Sequence, residues 1–156
     1  MDDTEADNDG GLAILLVEDV DWEARMVEEV LAEAGLRCKL SRAERLAGAI
    51  AHVGGNHVDA ILLDLSLPDS QGLDTIICMC AVAPLLPIIV LTGQEDEELA
   101  LEALRCGAQD YLVKGEDDGW TLARAIRLAR ARKQGEQAVA RHKELAGEYA
   151  AGPGRE

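Results

Sequence analysis

The sequence predicts an α/β domain in which a five-stranded parallel sheet carries helices on both faces. Three observations lead there. Five short apolar runs rich in β-branched residues alternate with longer stretches of helical period, the pattern of repeated strand–helix crossovers. Aromatic residues make up only 3% of the 156-residue chain and Phe is absent, so the core is built from Leu, Ile, Val and Ala. Four of the five runs also end in polar residues, as strands do when they deliver side chains to one edge of a sheet.

The elements follow in order. The strands are expected at Leu12–Val17, Leu36–Leu40, Ala60–Leu63, Pro87–Leu91 and Asp110–Val113. The first helix spans about Trp22 to Ala34, with Met26, Val30, Leu31 and Ala34 on one stripe and Gly35 as its stop. The second runs from about Ala43 to Val53 and ends in Gly54-Gly55. The third starts after Pro68-Asp69-Ser70, where Asp69 or Ser70 can cap it, turns Leu73, Ile76, Ile77 and Cys80 inward, and ends before Pro84. The fourth opens on the acids Glu95 to Glu98, which suit the positive end of a helix dipole, and closes at Cys106-Gly107. The fifth begins near Trp120 and carries Ala123, Ile126, Leu128 and Ala129 toward Lys133, with Gly135 as a point of interruption or fraying. Residues 1–11 read as a disordered acidic leader, 12–133 as the domain, and 134–156 as a helical extension or linker and flexible tail, with Gly152-Pro153-Gly154 ending any helix there.

Charge is unevenly distributed. Residues 1–120 hold 7 basic against 26 acidic side chains, and residues 121–156 hold 8 against 4. So acidic a body repels phosphate backbones and anionic lipid, which argues against nucleic acid or membrane partners. Heptads counted from Leu122 put Lys133 and Glu136 where apolar residues are wanted, so the tail is no autonomous coiled coil. Cys38, Cys78, Cys80 and Cys106 match no zinc or redox spacing and read as small hydrophobes. With no apolar signal region and no long apolar run, a reduced, cytoplasmic setting is expected.

The stretch LLDLSLPDSQG, residues 62–72, raises the chemical question, because it ends an apolar run in Asp64. A lone ionised carboxylate there would lose several kcal/mol on desolvation. The other strand ends supply company: Glu18-Asp19 after the first strand, Thr92-Gly93 after the fourth, Lys114 after the fifth. Glu18, Asp19 and Asp64 together need compensating positive charge, of which Lys114 supplies one unit. An all-oxygen donor set with excess negative charge suits a hard divalent ion, Mg2+ above all. A carboxylate between such an ion and an ammonium is a reasonable nucleophile toward phosphorus, with Thr92 placed to hydrogen-bond the transferred group.

At these residues the chain resembles the receiver domains of two-component response regulators. The resemblance covers about residues 12–133 and rests on Val17-Glu18-Asp19, on Asp64 with Pro68 and Gly72 behind it, on Leu91-Thr92-Gly93, and on Asp110-Tyr111-Leu112-Val113-Lys114. It implies a doubly wound, flavodoxin-like receiver fold with strand order 2-1-3-4-5 and an extended C-terminal helix. It makes Asp64 the phosphoacceptor, Asp19 a direct Mg2+ ligand, Glu18 a ligand through water and Ser66 a ligand through its backbone carbonyl. Lys114 contacts the phosphoryl group, Thr92 and Tyr111 form a switch pair, and the side chains of Ser66 and Gln94 influence the lifetime of the phosphorylated state. The implied output is a remodelled face of helix four, strand five and helix five.

Two residues depart from the family pattern. Gly115 follows Lys114 where many members have Pro, which leaves the cis peptide common there in doubt, and Glu18 replaces the commoner Asp. The partners implied are a histidine kinase or histidine phosphotransfer protein upstream and a downstream protein or fused output module. A homodimer is compatible with the same face. The protein is then no enzyme beyond its own phosphoryl transfer and dephosphorylation. Two other functions compete: a phosphorylation-independent interaction module of the same shape, and a haloacid-dehalogenase-like phosphatase. The latter needs a second Asp two residues after the nucleophile, where Ser66 stands.

Overall fold

The computed structural model describes residues 11–115 and 118–150, so the expected leader (but for Gly11), Glu116-Asp117 and the end of the tail with Gly152-Pro153-Gly154 lie outside the described residues. Five strands form one parallel sheet: β1 (Leu12–Val17), β2 (Cys38–Ala43), β3 (Ala60–Leu63), β4 (Ile88–Thr92) and β5 (Asp110–Val113). Their order is β2-β1-β3-β4-β5, and every neighbouring pair is parallel. The helices are α1 (Asp21–Glu33), α2 (Leu46–Gly55), α3 (Leu73–Val82), α4 (Glu97–Arg105) and α5 (Gly119–Ala150). A two-residue antiparallel hairpin, Ser66–Leu67 with Ser70–Gln71, follows β3.

Strand alternation divides the core in two. Leu15, Val17, Ile61, Leu63, Ile88 and Val90 face α2, α3 and α4. Ile14, Leu16, Ala60, Leu62, Ile89 and Leu91 face α1 and α5. Because both faces are covered, central β3 is buried at all four residues and reads as a continuous apolar run instead of an alternation.

Several boundaries and faces differ from expectation. Strand β2 starts at Cys38 and runs to Ala43, because Leu36 closes the end of α1 and register with β1 begins at Leu12↔Cys38. Ala43 therefore belongs to the strand, and α2 starts three residues later. In α1 the buried residues are Ala24, Val27 and Leu31, with Met26, Val30 and Ala34 half-buried beside them. In α3 Leu73, Ile76 and Cys80 pack against the core as expected, joined by the buried Thr75 and Met79, while Ile77 is exposed. Leu128 is likewise exposed, and Trp22 and Trp120 stand out in solvent. Trp120 stacks under the guanidinium of Arg124, 5.6 Å from the ring centroid. The four cysteines are free thiols, each half-buried.

Helix α5 passes through Gly135 without a break. A mid-helix glycine costs about 1 kcal/mol relative to alanine. Contacts on either side offset it: Arg130 reaches Asp59, Arg132 reaches the Gln109 carbonyl, Glu136 accepts from the Gln109 side chain, and Gln137 donates to the Leu85 carbonyl. The helix is thus tied to the loops before β3, β5 and β4 as far as Gln137. Among the described residues no helix is long and apolar enough to cross a membrane.

Candidate functional site

Register builds the site. Each ladder runs one residue past its strand: the Glu18 amide donates to the Ala43 carbonyl, Asp64 to Val17 and Lys114 to Thr92, at 2.7–3.0 Å. These extensions bring Glu18, Asp64 and Lys114 to the carboxyl edge of the sheet. Connections from β1 and β3 diverge there, and a cleft opens as it does in doubly wound sheets. It encloses about 470 Å³ and is lined by Asp19, Glu23, Asp64, Ser66, Thr92, Gln94 and Lys114 among others.

Lys114 Nζ is the hub. It donates to Glu18 Oε1, to Asp64 Oδ2 at 3.1 Å, and lies 3.4 Å from Glu23 Oε2. The ammonium is nearly buried, as are the Glu18 and Asp64 side chains. Burial pushes the Glu18 carboxyl up from its ordinary 4.5 to about 7, with Asp64 adding to the rise and Lys114 opposing it. Burial alone would lower the Lys114 ammonium, but the hydrogen bond to Glu18 and the charges of Asp64 and Glu18 outweigh it and hold the group above its usual value. Asp64 Oδ1 accepts from the Ser66 amide at 3.1 Å, so both carboxylate oxygens are aimed.

Across the cleft, Thr92 Oγ1 accepts from the Gln94 amide at 3.3 Å. Tyr111 packs its ring against the α2–α4 core and donates its hydroxyl to the Gln94 carbonyl at 3.2 Å, so both residues meet the same turn. Four strand ends in order, a buried carboxylate held by a lysine, and a threonine facing it are the layout of one known domain, and a family model described as response regulator receiver domain matches residues 14–127. The chain belongs to that family.

Relatives of this receiver domain include the regulatory protein LuxO of Vibrio cholerae, 42% identical over 66 residues, which cover 42% of this chain and 14% of that protein. The methanogenesis regulatory protein FilR1 of Methanothrix harundinacea is 31% identical over 150 residues, 93% of this chain and 31% of that one. The chain thus spans less than a third of either relative's length. Among solved structures, a response regulator protein from Burkholderia pseudomallei superposes with a TM-score of 0.64 at 25% identity, covering 83% of this chain and 74% of the other. That structure contains a phosphorylated aspartic acid, a calcium ion and citrate.

The site residues read from the sequence fall into two sets. Asp64, Asp19, Ser66, Thr92, Gln94 and Lys114 all line the cleft, and Glu18 joins them through Lys114. Asp19 stands apart from the Lys114 cluster: its Oδ1 is buried and has no hydrogen-bond partner among the described residues. An orphaned carboxylate oxygen beside acidic neighbours is the donor a hard cation wants, so the residues present fit a divalent ion. Every described peptide bond is trans.

Two residues were not legible. Glu23 completes a trio with Glu18 and Asp64, one oxygen of each lying within 4.8 Å of the others. Its signal was only that it stands four residues after Asp19 in a helical stretch, one turn from the strand end. Neither Asp69 nor Ser70, the two candidates, caps α3; Asp69 instead accepts from the amides of Leu46 and Ala47 at 2.8 and 3.0 Å and so caps α2, whose N-cap residue Arg45 provides no side-chain cap. Those two hydrogen bonds hold the Asp69 carboxyl below its usual range.

Proposed function

We propose that Asp64 is the phosphoacceptor of this receiver domain, charged from the phosphohistidine of a histidine kinase or histidine phosphotransfer protein. The observation that carries the reading is the Asp64 carboxylate, buried at the sheet edge, fixed by Lys114 and the Ser66 amide, and open to the cleft. In the transfer the phosphorus–nitrogen bond of the donor breaks, a phosphorus–oxygen bond to Asp64 forms, and the imidazole keeps the electron pair. Lys114 and the Thr92 hydroxyl receive the phosphoryl oxygens. Asp19, Asp64, Glu18 through water and the Ser66 carbonyl would hold Mg2+, which supplies positive charge against the phosphoryl oxygens.

Downstream, Thr92 and Tyr111 act as the switch. Both are bonded to the Gln94 turn, so a Thr92 hydroxyl drawn toward a phosphoryl group disturbs the turn that holds the Tyr111 hydroxyl. The change reaches the face of α4, β5 and α5, read by a partner protein or a fused output module, and a homodimer through that face is compatible with it. The side chains of Ser66 and Gln94 bear on the lifetime of the state. Residues 12–133 form the receiver unit, 134–156 an extension toward whatever it controls, and the setting is cytoplasmic. The protein turns over no substrate beyond its own transfer and dephosphorylation. A dehalogenase-like phosphatase is disfavoured, because Ser66 offers no general acid two residues past Asp64.

The test is incubation with acetyl phosphate and Mg2+, read by intact mass. Wild type gains one phosphoryl group and Asp64→Asn gains none; the same gain in the variant would overturn the assignment.

A further inference from the structure

The phosphoacceptor reading leaves one carboxylate of the cleft without a role. Glu23, in the first turn of α1, has a side chain only 20% exposed and lines the cleft with Asp19, Asp64 and Thr92. Its Oε2 lies 3.4 Å from Lys114 Nζ, and its oxygens share the space of the Glu18 and Asp64 carboxylates. One ammonium therefore serves three carboxylates, while Oδ1 of Asp19 in the same cleft has no hydrogen-bond partner among the described residues. Such a set is short of positive charge.

The shortage becomes acute on phosphorylation. A phosphoryl group on Asp64 brings at least one further negative charge and competes for Lys114. Glu23 then loses its only ion-pair partner among the described residues and faces an anion across the cleft. Without another cation, that repulsion opposes the product.

Resting on the reading of Asp64 and Mg2+ above, we propose that Glu23 is a further carboxylate of the divalent-cation site, one that raises affinity for Mg2+ and lets the bound cation replace Lys114 as its counter-charge. Lys114 is thereby released to the phosphoryl group, and cation binding and phosphoryl acceptance are coupled through Glu23. The sequence could not single it out, since Glu23 is one of several acids in its helix. A carboxylate that served only as a surface partner of Lys114 would change cation affinity much less, since a solvated charge is screened.

The experiment is calorimetric titration of Mg2+ into the full 156-residue chain as wild type, Glu23→Gln, Glu23→Asp and Asp19→Asn, with chelator-treated samples first shown to melt cooperatively. Glu23→Gln is expected to weaken Mg2+ binding roughly 10-fold, the usual effect of removing a supporting group around a metal site. Glu23→Asp, which keeps the charge, recovers part of the loss, and Asp19→Asn weakens binding at least as much as Glu23→Gln. Beryllofluoride, the phosphoryl mimic, then binds Glu23→Gln like wild type at saturating Mg2+ and more weakly at limiting Mg2+. A Glu23→Gln affinity within about two-fold of wild type, against the 10-fold scale of such sites, overturns the proposal and leaves the role of Asp64 standing. Wild type that takes up no Mg2+ overturns both.

Discussion

Replacing Lys114 with Met tests the electrostatics of the site most directly. The ammonium is 6% exposed and touches Glu18, Asp64 and Glu23, so its loss leaves three carboxylates, one oxygen of each within 4.8 Å of the others, without the cation that they share. Removing one partner of a buried ion pair costs about 3–5 kcal/mol, because the charges left behind stay desolvated. The cluster has one escape, which is to protonate Glu18. That group already sits near pH 7 in the fold against an ordinary 4.5, and without Lys114 it rises further. In linkage terms, a carboxyl raised in the fold contributes stability that is fully present below about pH 4.5 and lost as pH rises through about 7. For wild type in chelator the shift from 4.5 to about 7 corresponds to about 3 kcal/mol across that window. Lys114→Met should therefore be destabilised by about 3 kcal/mol or more at pH 8 and distinctly less at pH 5, and Mg2+ should recover much of the loss at pH 8. Urea denaturation at both pH values, with chelator and with Mg2+, measures all four corners. A penalty equal at the two pH values and indifferent to Mg2+ would refute the account, because the missing methylene packing and not the charge balance would then be its cause.

Three further outcomes are expected. Gly119→Ala should destabilise by about 1–3 kcal/mol in denaturant titration, since a Cβ there would lie 1.9 Å from the Val30 carbonyl oxygen and 3.2 Å from the Ala34 Cβ, forcing α1 and α5 apart. Asp69→Ala should speed hydrogen exchange at the Leu46 and Ala47 amides while leaving the α4 amides unchanged. The wild type should show the same loss only under acid, because a carboxyl lowered in the fold keeps its contribution above its ordinary 3.8 and loses it as pH falls through the lower folded value. Beryllofluoride with Mg2+ should shift the Tyr111 ring resonances in wild type and not in Thr92→Ala; equal shifts in both would separate Tyr111 from the threonine hydroxyl.

Much of the site was legible because its members stand at strand ends. Once Leu12–Val17, Ala60–Leu63 and Asp110–Val113 are recognised as strands, parallel pairing brings Glu18, Asp64 and Lys114 to one edge whatever the side chains do in between. Glu23 and Asp69 follow no such rule. Glu23 reaches the site by the rotation of a helix, which periodicity gives only to within a residue or so, as the stripe of α1 shows. Asp69 obeys the local preference of Asp for capping, but the helix it caps is α2, 22 or 23 residues away in sequence.

The sequence by itself determined the alternation of strands and helices, the parallel sheet, and which charges collect beyond its carboxyl edge, because these depend on periods of 2 and 3.6 and on the residue that ends each run. Tertiary structure alone decided how those charges are shared. That Lys114 divides itself among Glu18, Asp64 and Glu23, that Asp19 keeps an oxygen without a hydrogen-bond partner among the described residues, and that α5, tied to three loops, runs on past Gly135 depend on distances between segments remote in sequence. Electrostatic energy falls with separation and rises steeply with burial, and neither is written in the order of residues.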